Sequence, residues 1–348
     1  MVEILLKQTN KQTTMKNKIL ALLASVGLVA SVQAVDINEN LKIQGFLDFS
    51  YTNTETDNGG TSSDEQTLEM DEVEIDFLFN VGDVSGEVHI DNGDTPDGTD
   101  AWDIEQAHFT YSLDNGVSFT FGNYGSNLGY EREDPAGLYT YSRAYGDVST
   151  TADSNGNVAA RASTFNLGDV DSSDVHGVAI GFAGDNYSVV ASFHNPTADR
   201  KLHESDNADL ELAISYTGIE NINLGVGYYF DNEENNNLEE DVLNFHVSTT
   251  VGKFFIAGEY TEIQTENVAT GDLDAYLLLL DYDFNDRLGA AFRISSNETN
   301  IDNEDYDKIT IAPNYAITDS LGAIIEYSDI DQGTIDVNEL AIELTYTF

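Results

Sequence analysis

The sequence predicts an all-β chain that closes into a sixteen-stranded antiparallel barrel spanning a membrane. Three observations predict it. Apolar and polar residues alternate with period two in segments of about 8–12 residues, close to the ~9–11 that cross a bilayer when tilted. The connections between these segments alternate between short and long. The chain also ends on such a strand, Leu340 to Phe348 (LAIELTYTF). A barrel has a use for that ending. Its last strand must pair with its first, and a terminal aromatic sits well at a membrane–water interface.

From the N-terminus, Met15-Lys16-Asn17-Lys18 opens a basic stretch, Ile19 to Ala30 is apolar, and Ser31-Val32-Gln33-Ala34 offers a small-x-small cleavage site. This three-part layout reads as a secretory signal peptide. Translation is expected to start at Met15, with residues 1–14 an upstream extension and cleavage after Ala34. The apolar run is shorter than the ~20 residues of a spanning helix. Residues 35–348 then read as a single barrel domain, without a linker or a Pro-rich tract.

Sixteen strands are expected at 41–52, 68–80, 84–92, 102–113, 117–124, 174–182, 187–194, 208–217, 222–230, 241–251, 254–262, 274–282, 287–295, 306–317, 321–329 and 337–348. In 208–217, Leu210, Leu212, Ile214 and Tyr216 oppose Asp209, Glu211, Ala213 and Ser215. In 287–295, Leu288, Ala290, Phe292 and Ile294 oppose Arg287, Gly289, Ala291 and Arg293. The apolar faces hold almost no charge in mid-strand, as lipid demands, because a basic residue at the midplane costs ~2–4 kcal/mol. Tyr and Phe gather near strand ends, as two aromatic girdles would.

Seven short links carry turn chemistry, such as Val81-Gly82-Asp83, Asp114-Asn115-Gly116 and Gly252-Lys253. Gly, Asn and Asp tolerate the backbone of tight hairpins. Eight long links are expected at 53–67, 93–101, 125–173, 195–207, 231–240, 263–273, 296–305 and 330–336. Both ends of the barrel then lie on the short-turn side. A soluble β-sandwich has no such asymmetry.

The chain has no cysteine, so an exported form relies on its sheet and not on disulfides. It carries 14 Lys+Arg against 63 Asp+Glu. Without residues 1–34, which hold Lys7, Lys11, Lys16, Lys18 and Glu3, the balance is 10 against 62, a net charge of −52. Nucleic acid is excluded as a partner, since phosphate binding needs basic patches. Solvated loops, a salty habitat and attraction of cations each account for the excess.

The link 125–173 is far longer than the rest and mixes aromatics, Gly, Pro and paired charges (LGYEREDPAGLYTY from Leu128). A link this long without obvious structure is usually either functional or disordered, and this mix suggests a segment that packs against something. Here the chain resembles the Gram-negative general porins, in the whole mature plan and most closely over 119–143, where Phe119-Thr120-Phe121-Gly122 runs into Gly129-Tyr130-Glu131 and Leu138-Tyr139. The resemblance implies short periplasmic turns, long external loops and a third loop folded into the lumen. It also implies a homotrimer in the outer membrane of a Gram-negative bacterium. Lipid and lipopolysaccharide would surround it, and its C-terminal strand, ending at Phe348, would address the barrel-assembly machinery. Acidic residues on such a loop face basic residues on the wall. Glu131, Glu133 and Asp134, with Arg132, are therefore the expected constriction. The Pro-Glu-Phe-Gly-Gly motif of many enteric porins is absent.

Inward positions supply the expected wall: Lys42, Glu72, Glu74, Asp76, Glu87, His89, Arg287, Arg293 and Lys308. The acids dominate the early strands, which favours cations over anions in the lumen. The expected function is passive diffusion of small hydrophilic solutes and ions with a cation preference. A substrate-selective channel, with Tyr130, Tyr139 and Tyr141 as a sliding surface, is one alternative, and a barrel adhesin acting through acidic loops is another. No cofactor and no dedicated metal site are expected. The segment Asp91 to Asp100 has close-spaced oxygens but no EF-hand pattern, and divalent cations bridging such loops are the furthest it goes. Catalysis is not expected: Ser192 and His194 share a strand face without a third orienting group.

Overall fold

The computed structural model describes residues 34–93, 102–131, 135–145, 174–195, 208–230, 232, 240–265, 272–299 and 305–348. The signal-peptide reading of residues 1–34 lies outside these, Ala34 excepted. Among the described residues seventeen strands form a single antiparallel sheet: β1 (Val35–Asn38), β2 (Leu41–Asn58), β3 (Ser62–Val81), β4 (Val84–Gly93), β5 (Asp103–Ser112), β6 (Val117–Gly125), β7 (Asp174–Ala183), β8 (Tyr187–His194), β9 (Asp209–Ile219), β10 (Ile222–Phe230), β11 (Glu240–Val251), β12 (Phe254–Thr265), β13 (Leu273–Asp283), β14 (Leu288–Thr299), β15 (Tyr306–Ala316), β16 (Leu321–Gln332) and β17 (Ile335–Thr347). Each of β2 to β17 pairs with the next, and β17 pairs with β2, so sixteen strands close on themselves. No α-helix occurs among the described residues, and the single helical turn is a 3₁₀ turn at Pro135–Gly137.

Closure follows the expected pairing. The ladder runs from Ile335↔Asn58 to Thr347↔Phe46. Phe348 then clasps Gly45 through both backbone groups, N–H to Gly45 O at 3.0 Å and O from Gly45 N–H at 3.1 Å. Gly45 has to be small: a Cβ there would lie 2.1 Å from the Glu74 carbonyl oxygen and 3.0 Å from the Phe348 ring.

Two expectations about strand limits are corrected. A seventeenth strand, β1, pairs with the start of β2 at Val35↔Ile43 and Asp36↔Lys42, beyond the point where β17 stops. All four of its residues are exposed, so it has no apolar face to betray it. The links 53–67 and 330–336 are not long. β2 and β3 run on to a three-residue turn at 59–61, and β16 and β17 to a two-residue turn at 333–334. The extensions, such as Thr52-Asn53-Thr54-Glu55 against Asp64-Glu65-Gln66-Thr67, are wet on both faces, so the period-two signal disappears while the pairing continues.

The seven short turns lie where expected. Asn221 and Gly252 take positive φ (59° and 66°) in two of them, the conformation those residues tolerate best. Burial is inverted relative to a soluble protein. Outward side chains such as Leu278, Ile294, Ile309, Ile311, Ile325 and Ile342 are exposed, whereas inward Asp48, Glu74, Glu211, Arg293, Glu326 and Glu343 are almost fully buried. No Lys or Arg points outward from any described strand. Outward aromatics form two belts. Phe182–Tyr187, Phe254–Tyr282 and Tyr346–Phe348 pair near the short turns, and Tyr228–Phe230 and Tyr260–Tyr276 near the loops.

Replacing Gly45 by Val should weaken closure by about 1–3 kcal/mol through overpacking. The expected readout is a lower denaturation temperature of the refolded barrel, followed by its mobility on unheated gels; an unchanged temperature would mean that Phe348 adds nothing to closure.

Candidate functional site

The inward side chains border one space, the lumen, and part of the chain between β6 and β7 enters it. Residues 126–131 and 135–145 turn into the barrel and lie along the inner face from β9 round to β2. Wall carboxylates hold the segment by its backbone. Glu211 on β9 accepts from the Asn127 N–H (2.7 Å), from Asn127 Nδ2 (3.0 Å) and from the Ser126 hydroxyl. Glu259 on β12 accepts from the Tyr130 N–H at 2.6 Å and the Tyr145 hydroxyl at 3.2 Å. Glu326 on β16 accepts from the Ser142 N–H at 3.2 Å and from its hydroxyl. Burial, then the nearby Glu259 and Glu131 charges, hold the Tyr145 hydroxyl well above its ordinary pKa, which keeps it a donor.

One cation organises the centre of the contact. Arg293 on β14 donates through Nη1 to both Glu131 oxygens (2.9 and 3.1 Å) and to Thr140 Oγ1 (2.7 Å), and through Nη2 to Ser142 Oγ (3.2 Å) and the Arg143 carbonyl (2.8 Å). Its side chain is 0% exposed and that of Glu131 is 5% exposed. Glu131 in turn accepts from the Ala144 N–H at 2.7 Å, tying the two arms of the segment together. Lys308 on β15 donates to the same Arg143 carbonyl at 3.2 Å. The planar guanidinium suits this many acceptors at fixed angles, as an ammonium does not.

Apolar contacts complete the seal. Leu128, Tyr130, Ala144 and Tyr145 pack on Tyr229, Val242, Ala257, Ile263, Leu277 and Leu279. The Tyr139 ring stacks on Phe255, centroids 4.9 Å apart and planes 10° apart. Gly227 makes room for Leu128: a Cβ there would stand 2.9 Å from Leu128 Cγ. Across the lumen the Tyr141 hydroxyl reaches Ser50 on β2 at 3.3 Å. Beneath the segment a cavity of about 500 Å³ opens toward the short turns, lined by Tyr139, Asp281, Asp283, Arg287, Asn314 and Thr345 among others.

The arc from β2 to β8 meets the segment at Ser50. Its inner face carries Asp48, Glu72, Glu74, Asp76, Glu87, His89, Asp91 and Glu105, paired across the ladders as Glu74↔Asp91, Asp76↔His89 and Glu87↔His108. Ser192 and His194 do share an inner face, but the Ser192 hydroxyl meets Tyr124 at 2.7 Å and His194 Nδ1 faces the Asn195 carbonyl at 2.9 Å, so they do not form a nucleophile–base pair.

The expected site residues thus separate into groups. Glu72, Glu74, Asp76, Glu87 and His89 meet on the open arc. Glu131, Arg293 and Lys308 also meet, but as a buried latch, whereas the sequence reading set loop acids and wall bases facing one another across an opening. Lys42 stands at the turn rim, 56% exposed and 3.4 Å from Asp36 of β1. Arg287 lies in the exposed turn between β13 and β14. Arg132, Glu133 and Asp134 lie outside the described residues, as does most of 91–100. Tyr130 is buried, so of the three loop tyrosines only Tyr139 and Tyr141 have surface in the lumen. Glu211, Glu259 and Glu326 were missed. Glu259 and Glu326 were signalled as single acids on inner faces otherwise occupied by small or apolar residues, and Glu211 shared its face with Asp209.

A family model described as Gram-negative porin matches residues 20–334. None of the curated protein sequences compared with the chain matches it. Among solved structures, the chain is similar to OmpF of Salmonella typhi in complex with daunomycin (12% identity, 91% of this chain and 100% of that one, TM-score 0.65). It is similar to an anion-selective porin from Comamonas acidovorans (9% identity, 88% and 99%, TM-score 0.62). It is also similar to the in-vitro folded trimer form of OmpT of Vibrio cholerae (16% identity, 88% and 99%, TM-score 0.59). At these identities the likeness is one of fold.

Removing the guanidinium, as in Arg293→Ala, should cost the docked segment about 3–5 kcal/mol, because Glu131 is left buried and unpaired. Thr140→Val should cost only about 1 kcal/mol. Limited proteolysis of the folded barrel should then cut within 126–145 in the first variant and spare the second; equal resistance in both would remove Arg293 from the role of latch.

Proposed function

This chain belongs to the Gram-negative porin family, and from that premise we propose that it is a water-filled, cation-preferring channel for passive diffusion of small hydrophilic solutes and ions. The family and the fold are those of multi-pass outer-membrane barrels and of passive channels. The cation preference, the trimer and the identity of the narrowing are our reading.

The location of the lumen's charges carries the reading. Of the six Lys and Arg among the described residues, Lys42, Lys253 and Arg287 are exposed at the turn rim. Arg293 and Lys308 are drawn into the contact between segment and wall, and Arg143 lies on the segment, its carbonyl bound by both. The open arc keeps its carboxylates. A low-dielectric wall lined with one sign of charge concentrates counter-ions in the water beside it. Arg132, Glu133 and Asp134 belong to the same segment in sequence, and we assign them to the narrowing, where they add two acids and one base. The burial of Tyr130 speaks against an aromatic slide and so against the sugar-selective alternative.

The rest of the assignment follows the family. Residues 1–34 direct export and are removed after Ala34. The barrel assembles as a homotrimer, in keeping with the trimer form of the Vibrio OmpT. The closing strand that ends at Phe348 addresses the assembly machinery, lipopolysaccharide surrounds the loop rim, and divalent cations bridge the acidic loops weakly.

Planar-bilayer recording under a KCl gradient tests the proposal. The expected result is stepwise conductance with a reversal potential of the sign set by K⁺. A zero or chloride-signed potential would overturn the cation preference, and absence of conductance the channel itself. Neutralising Glu72→Gln and Asp91→Asn together should move the reversal potential toward zero. The shift should shrink between about 0.1 M and 1 M salt, as the Debye length falls from roughly 10 Å to 3 Å.

A further inference from the structure

On the open arc three side chains converge in a manner that electrostatic lining of a pore does not require. Glu74 and Asp76 are successive inward residues of β3, and His89 on β4 lies directly across the ladder from Asp76. One carboxylate oxygen from each acid and one ring nitrogen all lie within 4.8 Å of one another. His89 Nδ1 stands 3.2 Å from Glu74 Oε1 and 3.5 Å from Asp76 Oδ1. The longer distance is poor for a hydrogen bond. Both suit two ligands of one tetrahedral ion, since donors about 2.0–2.1 Å from Zn²⁺ stand roughly 3.3 Å apart.

The surroundings aim the donors inward. Gln44 Nε2 donates to Asp76 Oδ2 at 3.1 Å, which turns Oδ1 toward the imidazole. That Oδ1 is buried and has no hydrogen bond, and Asp76 as a whole is 5% exposed. On the other side of the ring, Glu87 Oε2 lies 3.4 Å from His89 Nε2. A carboxylate at the far nitrogen keeps the proton there and leaves the Nδ1 lone pair for a metal, the arrangement that outer partners give to ligating histidines. The His89 side chain is 14% exposed, so the group opens on the lumen through the imidazole edge.

We propose that Glu74, Asp76 and His89 form a binding site for a divalent transition-metal ion of the Zn²⁺ class, with Gln44 and Glu87 as the outer shell and a fourth position open to lumen water. An imidazole donor with only two carboxylates suits Zn²⁺ and its neighbours. Ca²⁺ and Mg²⁺ require more oxygens. The ion would sit in the wall of the channel and add positive charge where the lumen is most acidic, so occupancy lowers cation flux. The binding itself does not depend on the channel's selectivity.

Calorimetric titration of the folded, metal-free full chain with Zn²⁺ alone tests the site. One tight equivalent per barrel is expected. It should vanish in His89→Ala and in Asp76→Asn, each shown folded by its unheated gel mobility, and weaken about 10–100-fold in Glu87→Gln. Co²⁺ should give the intense visible bands of a four-coordinate ion. Zn²⁺ binding that survives both ligand substitutions would locate the ion on the acidic loops and overturn the proposal. So would the absence of a tight equivalent in the unsubstituted chain, or weak octahedral Co²⁺ bands. If either ligand variant misfolds, the other decides.

Discussion

In hydrocarbon no water is available to pair with a stray N–H or C=O, and every other feature of this chain follows from that constraint. Each unpaired backbone group costs several kcal/mol. A sheet meets the demand only by closing, and here the β17–β2 ladder does so, with the Gly45–Phe348 clasp at its end. Closure then fixes the rest of the chemistry. Outward side chains must be apolar because they meet lipid. Inward side chains must carry nearly all the charge that the strands contain. The result is a protein whose exposed large side chains include many Leu, Ile, Val, Phe and Tyr and whose buried ones include Arg293, Glu74, Glu211, Glu326 and Glu343.

A polar interior on this scale has to satisfy itself. Residues 126–145 do much of that work. Their backbone donors meet the carboxylates of Glu211, Glu259 and Glu326, and their carbonyl and carboxylate acceptors meet Arg293 and Lys308. Exposed ion pairs contribute ~0–1 kcal/mol, whereas breaking one buried to the degree of Arg293–Glu131 costs several times more. The latch is therefore a matter of position more than of charge count. It also has an electrostatic consequence. Both strand cations that reach the barrel's middle, Arg293 and Lys308, are bound at the contact with the segment.

What was legible in the sequence follows the same physics. Where one face meets lipid, alternation is strong, so Leu210 to Tyr216 and Leu340 to Phe348 declared their strands and even their outward residues. Where both faces are wet the signal fails. The exposed β1 went unseen for that reason, and the tips of β2 and β3 read as a loop. The candidate site divided similarly. Glu131, Arg293 and Lys308 were each picked out, but a contact between residues 162 positions apart is set by how the segment docks, and no local pattern encodes it. Gly227 and Leu128 show the difficulty well, since a glycine on an inward face looks like a gap until a side chain from elsewhere fills it.

The acidic composition gains meaning only through this geometry. A net charge of −49 spread over loops would be solvated and screened within a Debye length. Carboxylates fixed on the inner wall are different. Glu74 and Asp76 are alternate residues of one strand, and Glu87, His89 and Asp91 continue the group across a single ladder. Like charges at such spacing repel by more than an exposed pair does, because the wall behind them is poor in water. Their mutual repulsion falls when protein or solvent brings positive charge. Gln44 offers a dipole and His89 a titratable ring. Mobile cations add to these, and an ion with affinity for nitrogen binds most tightly where the imidazole is. The closure that forced charge into the interior thus makes that interior attractive to cations from solution, and this attraction links the fold to the proposed conduction and to the proposed metal site alike.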